Sequence, residues 1–396
     1  MIDLTATSVL DLLSLIIVIS FTYHLVLLYE VAVFTRQEDD PATPYEPPVT
    51  LLKPLTEWTE QVRLNLLSFC QQHYPDYEMI IGLPHRETLD TAQAALAAGP
   101  CNSRARWEVC HPELTANPKI SELLALYPGA RHDILILSDA DIRVGPDYIS
   151  QVVAPLRDPQ IGAVTCLYTT PEASTLAGTV EALIINVDFI PSVLVAHHLF
   201  GSRFALGATI ALRRATLEAV GGLEALADYL ADDYQLGLRV CRAGYRIAIS
   251  RHIVQNHLPR MSLSDLYRHQ LRWARTIRVN QPVGWLFSCI SFLTGWAALW
   301  LATSDFSAVG WRLLAMTVVF RLLEGAYLND NLNGLRGYWR IAWLMPIKDA
   351  FYMLVWFLSF TGNRVHWAGR EYVVSRDGYM TRAGVSESEG MLHRSP

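Results

Sequence analysis

The sequence predicts a doubly wound, Rossmann-like α/β domain that is held at a membrane by apolar helices. Between about residues 45 and 255, short apolar runs alternate with amphipathic stretches, which is typical of strands that alternate with helices around a parallel sheet. Residues 9–34 are almost continuously apolar, and further apolar segments follow residue 281. Between them the 396-residue chain has the composition of a soluble protein, although 51% of all its residues are hydrophobic.

The elements of the middle region are predicted in a regular order along the chain. Strands are expected at residues 49–52, 79–82, 107–110 and 134–137, and helices at 60–72, 89–98, 121–126 and 234–242. The run at 134–137 is wholly apolar, as expected for a strand that is buried on both faces of a parallel sheet. Residues 38–48 are acidic and then proline-rich, which predicts a linker leaving the first membrane helix.

Four apolar segments are candidate membrane spans. Residues 9–34 are long enough to cross a hydrocarbon core of about 30 Å, and they follow Asp3 rather than a basic region, which favours an anchor over a cleaved signal. Residues 282–302, 311–328 and 341–360 are the other three, and Pro346 beside Lys348 and Asp349 leaves 341–360 open between a span and a re-entrant pair. The positive-inside rule predicts a cytoplasmic domain, because one acid, Asp265, stands among five arginines before residue 281: Arg260, Arg268, Arg272, Arg275 and Arg278.

Two features of the apolar regions allow alternative explanations. Charged residues in or near the last helices favour pairing between helices or snorkelling to the interface over a lipid headgroup site; they are Arg312, Arg321, Glu324, Lys348 and Asp349. Residues 183–200 are apolar but interrupted by Asp188 and Pro191. We expect this segment to be an interfacial helix rather than a buried core helix, and it is a poor transmembrane span.

The net charge and the cysteine pattern exclude several classes of protein for this chain. The formal net charge is −6, so a nucleic acid is not expected as a partner. Six cysteines are scattered without CxxC or Cys/His spacing. This argues against a zinc site or a disulfide scaffold, and it fits a reducing compartment.

Two carboxylates directly follow the apolar strand predicted at 134–137. Asp139 and Asp141 are one residue apart, and ligands of open α/β sheets bind at the carboxyl ends of strands. Such a pair can hold Mg²⁺ or Mn²⁺ together with a diphosphate, because these ions prefer hard oxygen ligands. The alternative is that the tripeptide only caps a turn or a helix.

Asp232 and Asp233 form a second acidic cluster, before the helix predicted at 234–242. They could cap that helix and interact with its dipole. A functional alternative is a general base, since transfer of a sugar with inversion needs a carboxylate that takes the proton of the acceptor hydroxyl. Because the two residues are adjacent, only one is expected to point into a site.

A third element combines His269, Arg272 and Trp273, which share one face if the segment is helical. Arginine is suited to bidentate contacts with phosphate, and tryptophan can stack on a ring or lie at a membrane interface. A basic, aromatic collar next to the membrane would have the same composition, and the residues alone do not separate the two.

In this order, the elements resemble the ceramide glucosyltransferase family, which is glycosyltransferase family 21 with the GT-A fold. The resemblance rests on segments spread over nearly the whole chain: 51–55, 74–78, 117–120, 138–143, 227–234 and 272–273. It implies an anchor at 1–36, a cytosolic transferase domain at 37–260, a basic juxtamembrane helix at 261–280, a membrane region at 281–362 and a tail at 363–396.

The resemblance also implies roles for individual residues. UDP-sugar would bind near three residues of the first strand and near Lys119. The metal and the diphosphate would bind at Asp139 and Asp141. Asp233 would be the catalytic base, and Asp232 is the second candidate for that role. The first-strand residues are Leu52, Lys53 and Pro54. Arg272 and Trp273 would act at the diphosphate.

The chain departs from the family pattern at two positions that the resemblance assigns to the binding site. The family has an early Asp after the second strand, whereas this chain has His85 and Glu87 there, and we expect Glu87 to stand in for it. His269 occupies the Gln or Arg position of the Q/R-x-x-R-W element.

The acceptor implied is a lipid alcohol in a membrane, with glucose as the favoured sugar and ceramide as the acceptor. Segments 131–133, 139–148, 162–168 and 275–278 resemble equally the bacterial hopanoid-associated subgroup. That subgroup implies N-acetylglucosamine, a hopanoid alcohol and a multi-pass protein of the bacterial inner membrane. A processive polysaccharide synthase and a non-catalytic membrane scaffold are further alternatives.

Overall fold

A computed structural model of the chain describes residues 6–37, 45–97, 99–110 and 114–383. Four predicted features lie partly or wholly outside these ranges: residues 1–5 of the anchor with Asp3, residues 38–44 of the linker, the helix end at residue 98, and the tail from 384. The chain divides into two compact units. We call Met1–Gln37, Thr169–Leu199 and Arg260–Val365 the helical unit, and Glu38–Tyr168, Phe200–Pro259 and His366–Pro396 the sheet unit.

The described strands, in chain order, are β1 Val49–Pro54, β2 Tyr77–Leu83, β3 Ala105–Val109, β4 Ile134–Leu137, β5 Ile142–Arg143, β6 Ile161–Thr169, β7 Ile210–Arg213, β8 Arg246–Asn256, β9 Arg364–Trp367, β10 Arg370–Val374 and β11 Met380–Arg382. The described α-helices are α1 Ala6–Arg36, α2 Glu60–Cys70, α3 Arg86–Leu96, α4 Pro118–Leu126, α5 Tyr148–Val153, α6 Leu176–Leu183, α7 Ile190–Phe200, α8 Arg214–Ala219, α9 Asp232–Arg242, α10 Leu263–Asn280, α11 Pro282–Phe287, α12 Leu293–Thr303, α13 Ala308–Asn331 and α14 Met345–Ser359.

Eight strands of the sheet unit form one mixed sheet in the order β3-β2-β1-β4-β7-β6-β8-β5. β3, β2, β1 and β4 are parallel, as predicted, so their carboxyl ends share one edge. β7 pairs antiparallel to both β4 and β6, so the sheet is mixed. The expected α/β, Rossmann-like class is confirmed, but the antiparallel strand was not predicted. Alternation of apolar runs indicates that strands exist but does not fix their direction, because buried strands of either direction can be wholly apolar.

The core of the sheet unit lies between the sheet and helices α4, α8 and α9. Side chains of β1, β2 and β4 meet those of the three helices in one buried cluster, for example Leu52, Ile80 and Leu137 against Leu126 and Leu236. Apolar side chains that are removed from water in this way supply the main driving force for the fold. The cluster fixes the helix starts that carry the candidate site residues.

Residues 176–200 form one long helix of the helical unit, α6 and α7 joined by a π-helix at Ile184–Phe189. It is long and apolar enough to cross a membrane, as is Ser8–Arg36, and 78% of its most apolar window is buried inside the protein. The expectation that this segment is a poor span is therefore wrong by length and composition, and its placement at a membrane interface stays a prediction. Asp188 and Pro191 do not break the helix, because the π-helical turn accommodates them.

The C-terminal helices differ in length from the predicted spans. α11 with the following turn and α12 form a pair bent by 65°, so residues 282–302 are a broken or re-entrant segment instead of one straight helix. Within the part of the chain that the structure describes, α13 and α14 do not meet the length and hydropathy expected of a span. Three spans after residue 281 are therefore not found by length and composition.

Charged side chains of the helical unit pair with one another in its interior. Arg321 contacts Asp188 (2.7 Å), Asp349 (3.1 Å) and Glu324 (2.5 Å), and Lys348 bonds to Asp188 and Asp349. His24 of α1 contacts Glu324 (2.8 Å). The structure supports pairing between helices, the explanation favoured for these residues from the sequence. Charged side chains that are buried require partners of this kind.

A disulfide joins Cys70, at the end of α2, to Cys101, in the turn before β3, with the Cα atoms 5.0 Å apart. The sequence argument was against a scaffold of disulfides, and it did not predict this single bridge. The two cysteines are 31 residues apart in the chain. They meet only in the folded protein, and their spacing in the sequence does not indicate this. A disulfide also does not fit the reducing compartment that was expected.

Candidate active site

The loop after β4 carries the first predicted pair of acids. β4 is buried along its whole length, and the loop leaves the sheet at the carboxyl edge, where open α/β sheets bind ligands. The Lys53 ammonium donates to the Ser138 hydroxyl (3.2 Å) and to the backbone oxygen of Asp139. The backbone oxygen of Asp141 accepts from the backbone N–H of His257 (2.9 Å). The loop is thus held from two sides, which orients both carboxylates.

Lys119 lies in the first turn of α4 and bridges the two predicted acidic clusters. The Asn117 side chain caps this helix by accepting from Ile120 N (3.1 Å), and the N-cap is a preferred position for asparagine. The Lys119 ammonium contacts Asp139 (2.6 Å) and Asp232 (3.3 Å). Burial lowers the pKa of this ammonium, but its carboxylate neighbours outweigh burial and raise it above the usual range, so it stays charged.

Asp232 and Asp233 begin α9, and their carboxylates have different surroundings. Asp232 accepts from the Asn117 amide (3.2 Å) and contacts Lys119. Asp233 accepts from two backbone N–H groups, Gly207 (2.9 Å) and Tyr234 (2.7 Å). Burial and the charge of Asp232 raise the pKa of Asp233 to about 6, against the opposing effect of Lys119.

The predicted elements meet at Gly207, a residue that the sequence argument did not single out. A Cβ atom at this position would lie 2.9 Å from an oxygen of Asp139, 3.1 Å from the Lys119 nitrogen and 3.3 Å from an oxygen of Asp233. A side chain at this position would therefore force the ends of Asp139, Lys119 and Asp233 to shift. A glycine between two predicted elements carries no sequence signal for this, because its role follows only from the folded contacts.

The three residues predicted to bind the nucleotide near β1 are the last residues of that strand and are buried. Lys53 lies 4.0 Å above the ring centroid of Phe69. Burial lowers the pKa of Lys53 to about 7, against the opposing charges of Asp139 and Asp141. Its visible contacts support the loop of Asp139; nucleotide binding by Leu52, Lys53 and Pro54 stays a prediction.

His85 and Glu87 lie at the start of α3, directly after β2, and both side chains are exposed. β2 is parallel to β1 and ends beside it, so this start lies at the same edge of the sheet as Lys53. Asp90, the next acid, forms an exposed ion pair with Arg86 (3.1 Å). Substitution of the early Asp by Glu87 stays a prediction.

His269, Arg272 and Trp273 lie on α10 of the helical unit. The His269 ring nitrogen Nδ1 hydrogen-bonds to the buried carboxylate of Glu181 (2.8 Å), which also accepts from the Gln270 amide (2.8 Å). The Trp273 ring lies against the His269 ring, with centroids 4.8 Å apart. Glu181 was missed because one acid in an apolar stretch has no motif. The predicted action of Arg272 and Trp273 at a diphosphate stays a prediction.

Asp139 and Asp141 have the chemistry of a divalent cation site. Among the residues that the structure describes, no group of three or more His, Cys, Asp or Glu forms a metal centre. Burial and the charge of Asp139 raise the pKa of Asp141 to about 6, against the effect of Lys53, so positive charge would relieve repulsion within the pair. Mg²⁺ and Mn²⁺ usually take only one or two carboxylates and complete their shell with phosphate and water, and these residues fit that pattern.

The mixed sheet with its flanking helices defines the GT-A-like glycosyltransferase fold. Among solved structures, it is similar to the mannosyltransferase PcManGT from Pyrobaculum calidifontis in complex with GDP-Man and Mn²⁺. The TM-score is 0.55 at 18% sequence identity, and the match covers 88% of this chain and 99% of that one. At this identity the similarity shows the fold alone.

The chain belongs to glycosyl transferase family 21, whose model matches residues 12–380. It is 22% identical to ceramide glucosyltransferase 1 of Caenorhabditis elegans over 268 residues, 67% of this chain and 55% of that protein. It is also 22% identical to ceramide glucosyltransferase 3 of the same organism over 234 residues, 58% of this chain and 50% of that protein. The chain thus spans about half the length of these curated relatives. The resemblance seen in the sequence is confirmed at the level of the family.

Proposed function

We propose that this glycosyltransferase moves a sugar, with glucose favoured, from a UDP-sugar to a lipid alcohol, with inversion at the anomeric carbon. The observation that carries the proposal is the meeting of Asp139, Lys119 and Asp233 around Gly207, in a chain of family 21. The ammonium group suits a diphosphate and a carboxylate suits the acceptor hydroxyl, and the two ligands must lie side by side for transfer. Gly207 places no side chain between these groups.

Asp233 would act as the general base. The acceptor hydroxyl would lose its proton to this carboxylate while its oxygen bonds to the anomeric carbon, and the bond between that carbon and the diphosphate oxygen would break. The pKa of about 6 leaves Asp233 ionised at neutral pH yet close enough to pH 7 to accept a proton efficiently. Asp232 is the second candidate, because its carboxylate forms an ion pair with Lys119 and accepts from the Asn117 amide, whereas the hydrogen bonds to Asp233 come from backbone N–H groups.

Lys119 would neutralise charge that develops on the departing diphosphate. It is partly buried, charged and 2.6 Å from Asp139, so it is already directed at the edge of the sheet where the diphosphate would lie. Arg272 is proposed to share this role. Fixed positive groups of this kind stabilise a transition state because they need no reorganisation when charge appears.

Asp139 and Asp141 would hold Mg²⁺ or Mn²⁺. When bound, the ion would supply Lewis-acid stabilisation of the leaving diphosphate. Mn²⁺ accompanies GDP-Man in the similar PcManGT structure, and the raised pKa of Asp141 is the feature of this chain that supports a cation here.

A lipid is the proposed acceptor, and ceramide is favoured over a hopanoid alcohol. Two helices, Ser8–Arg36 and Leu176–Phe200, are long and apolar enough to cross a membrane, and the relatives from Caenorhabditis elegans are named ceramide glucosyltransferases. Transfer of N-acetylglucosamine to a hopanoid is the second candidate, supported by Arg131, His132 and Asp133 and by the segment at 275–278.

We further propose that the transferase domain, residues 37–260, faces the cytoplasm from a multi-pass membrane protein, in the bacterial inner membrane if the hopanoid alternative holds. Five arginines before residue 281 support this orientation. The disulfide between Cys70 and Cys101 is of a kind that is rare in the cytosol, so these two features of the chain favour opposite orientations.

Detergent-purified protein should be offered radiolabelled UDP-glucose or UDP-N-acetylglucosamine with ceramide or a hopanoid alcohol, with and without Mn²⁺. We expect metal-dependent label in the lipid extract, with the productive pair naming both substrates. Label in insoluble polymer would instead identify a processive synthase. No transfer from either donor would contradict the proposal and favour a non-catalytic scaffold.

A further inference from the structure

The C-terminal strands of the sheet unit contact the segment that leads into the acidic pair. β10 and β11 form an antiparallel hairpin, which we call the C-terminal hairpin. Residues 227–231 directly precede Asp232, and we call them the aspartate loop. Tyr379 forms a β-bridge to Tyr229 of that loop, and Met380 N donates to the backbone oxygen of Asp228 (2.8 Å).

Side chains reinforce the backbone pairing. The rings of Tyr229 and Tyr379 are stacked, with centroids 4.3 Å apart and planes inclined by 30°, and Arg239 lies 5.9 Å from the Tyr229 ring centroid. Met380 and Tyr229 are both buried. Aromatic pairs of this kind stabilise a structure beyond the effect of the area that they bury, so the hairpin is well placed to restrain the loop.

Asn117 holds the aspartate loop on its other side. Its backbone N–H donates to the oxygen of Ala227 (2.9 Å), and its side-chain amide donates to the oxygen of Tyr229 (2.8 Å) and to Asp232 (3.2 Å). The same residue caps the helix that carries Lys119. Tyr229 is therefore the point at which the C-terminal hairpin and the Lys119 helix restrain the loop together.

We propose that the C-terminal hairpin is a clamp on the aspartate loop, and that Tyr379 is a positioning residue for the acidic pair at the start of α9. The functional part of this inference rests on the proposed function. Tyr379 contacts no reacting group; it acts through Tyr229 and Asn117. Displacement of a catalytic group by about 1 Å can lower a rate about 100-fold, so loosening the loop should reduce turnover more than donor binding.

The experiment compares full-length Tyr379→Ala and Tyr379→Phe proteins, with Thr381→Ala as the matched control on the exposed side of the same hairpin. Amide hydrogen exchange of residues 227–233 is measured without substrate. We expect faster exchange in Tyr379→Ala, and wild-type exchange in Tyr379→Phe, which keeps the stacked ring, and in Thr381→Ala. Tyr379→Leu, which keeps an apolar side chain at the bridge, replaces Tyr379→Ala if that protein does not fold.

Steady-state kinetics of the same proteins test positioning against mere stability. We expect the kcat of Tyr379→Ala per folded molecule to fall about tenfold or more, the KM for UDP-sugar to stay within about twofold, and Tyr379→Phe to restore kcat. Unchanged exchange at 227–233 would overturn the clamp, and faster exchange with unchanged kcat would overturn the positioning role of Tyr379. If the wild-type protein transfers no sugar, the proposed function fails, and the exchange data alone decide whether the hairpin restrains the loop.

Discussion

At Gly207 a single missing side chain keeps the candidate site open. The contacts around it are with Asp139, Lys119 and Asp233, which come from three separate parts of the chain. The patterns of acids after a buried strand and before a helix identified Asp139 and Asp233, and the resemblance to a known family identified Lys119. They did not identify Gly207, since the need for a glycine arises only where the three meet.

Gly207→Ala should lower sugar transfer by about 100-fold while the protein still folds, because the methyl group would push apart groups that must act together. Gly99→Ala is the matched control, since a Cβ there would have its nearest neighbour at 3.7 Å. Transfer rates and thermal unfolding of both proteins are the measurement. Full activity in Gly207→Ala would show that the reacting groups do not gather at this position.

Glu122 is a second residue that no motif identified. It is buried in α4, and burial raises the pKa of its carboxyl to about 8. It is therefore mainly neutral at pH 7. The proposed mechanism uses Lys119 of the same helix but assigns no step to Glu122.

Among the elements, those of the first half of the sheet were predicted best. The expected strand at 134–137 coincides with β4, and the expected helix at 60–72 differs from α2 only at its end. Long-range features were missed: the antiparallel direction of β7, the hairpin of β10 and β11, and the bend between α11 and α12. Each depends on contacts between distant residues, which the local pattern of apolar side chains does not encode.

The pairing of α6 with α10 depends on Glu181, which is fully buried. Glu181→Ala should lower the free energy of unfolding by about 1–3 kcal/mol, because the partly buried His269 and the buried Gln270 would lose their acceptor. Thermal unfolding in detergent measures this change. Glu172→Ala is the control, since its ion pair with Arg336 is exposed and such pairs contribute little. Equal unfolding temperatures for the two variants would contradict the structural role of Glu181.

On the scale of the whole molecule, the order of elements along the chain was more informative than any one motif. The pattern of Asp139 and Asp141, two acids one residue apart, is common by chance. Arg272 and Trp273 taken alone fit a basic, aromatic segment beside the membrane as well as they fit a diphosphate contact. Their order over nearly the whole chain resembled one family, and the family model matches residues 12–380. The number of membrane spans was less predictable, because the buried charges of the helical unit lower its hydropathy while pairing with one another.

The central claim is that the cluster around Gly207 is a glycosyl-transfer site with Asp233 as its base. The most direct measurement is the transfer rate and the UDP-sugar affinity of Asp233→Asn, with Asp232→Asn measured in parallel. We predict that Asp233→Asn loses about a thousandfold or more of its transfer rate while its affinity for UDP-sugar stays within about twofold. Near-normal turnover of Asp233→Asn would contradict the claim, and a selective loss in Asp232→Asn would move the base to Asp232.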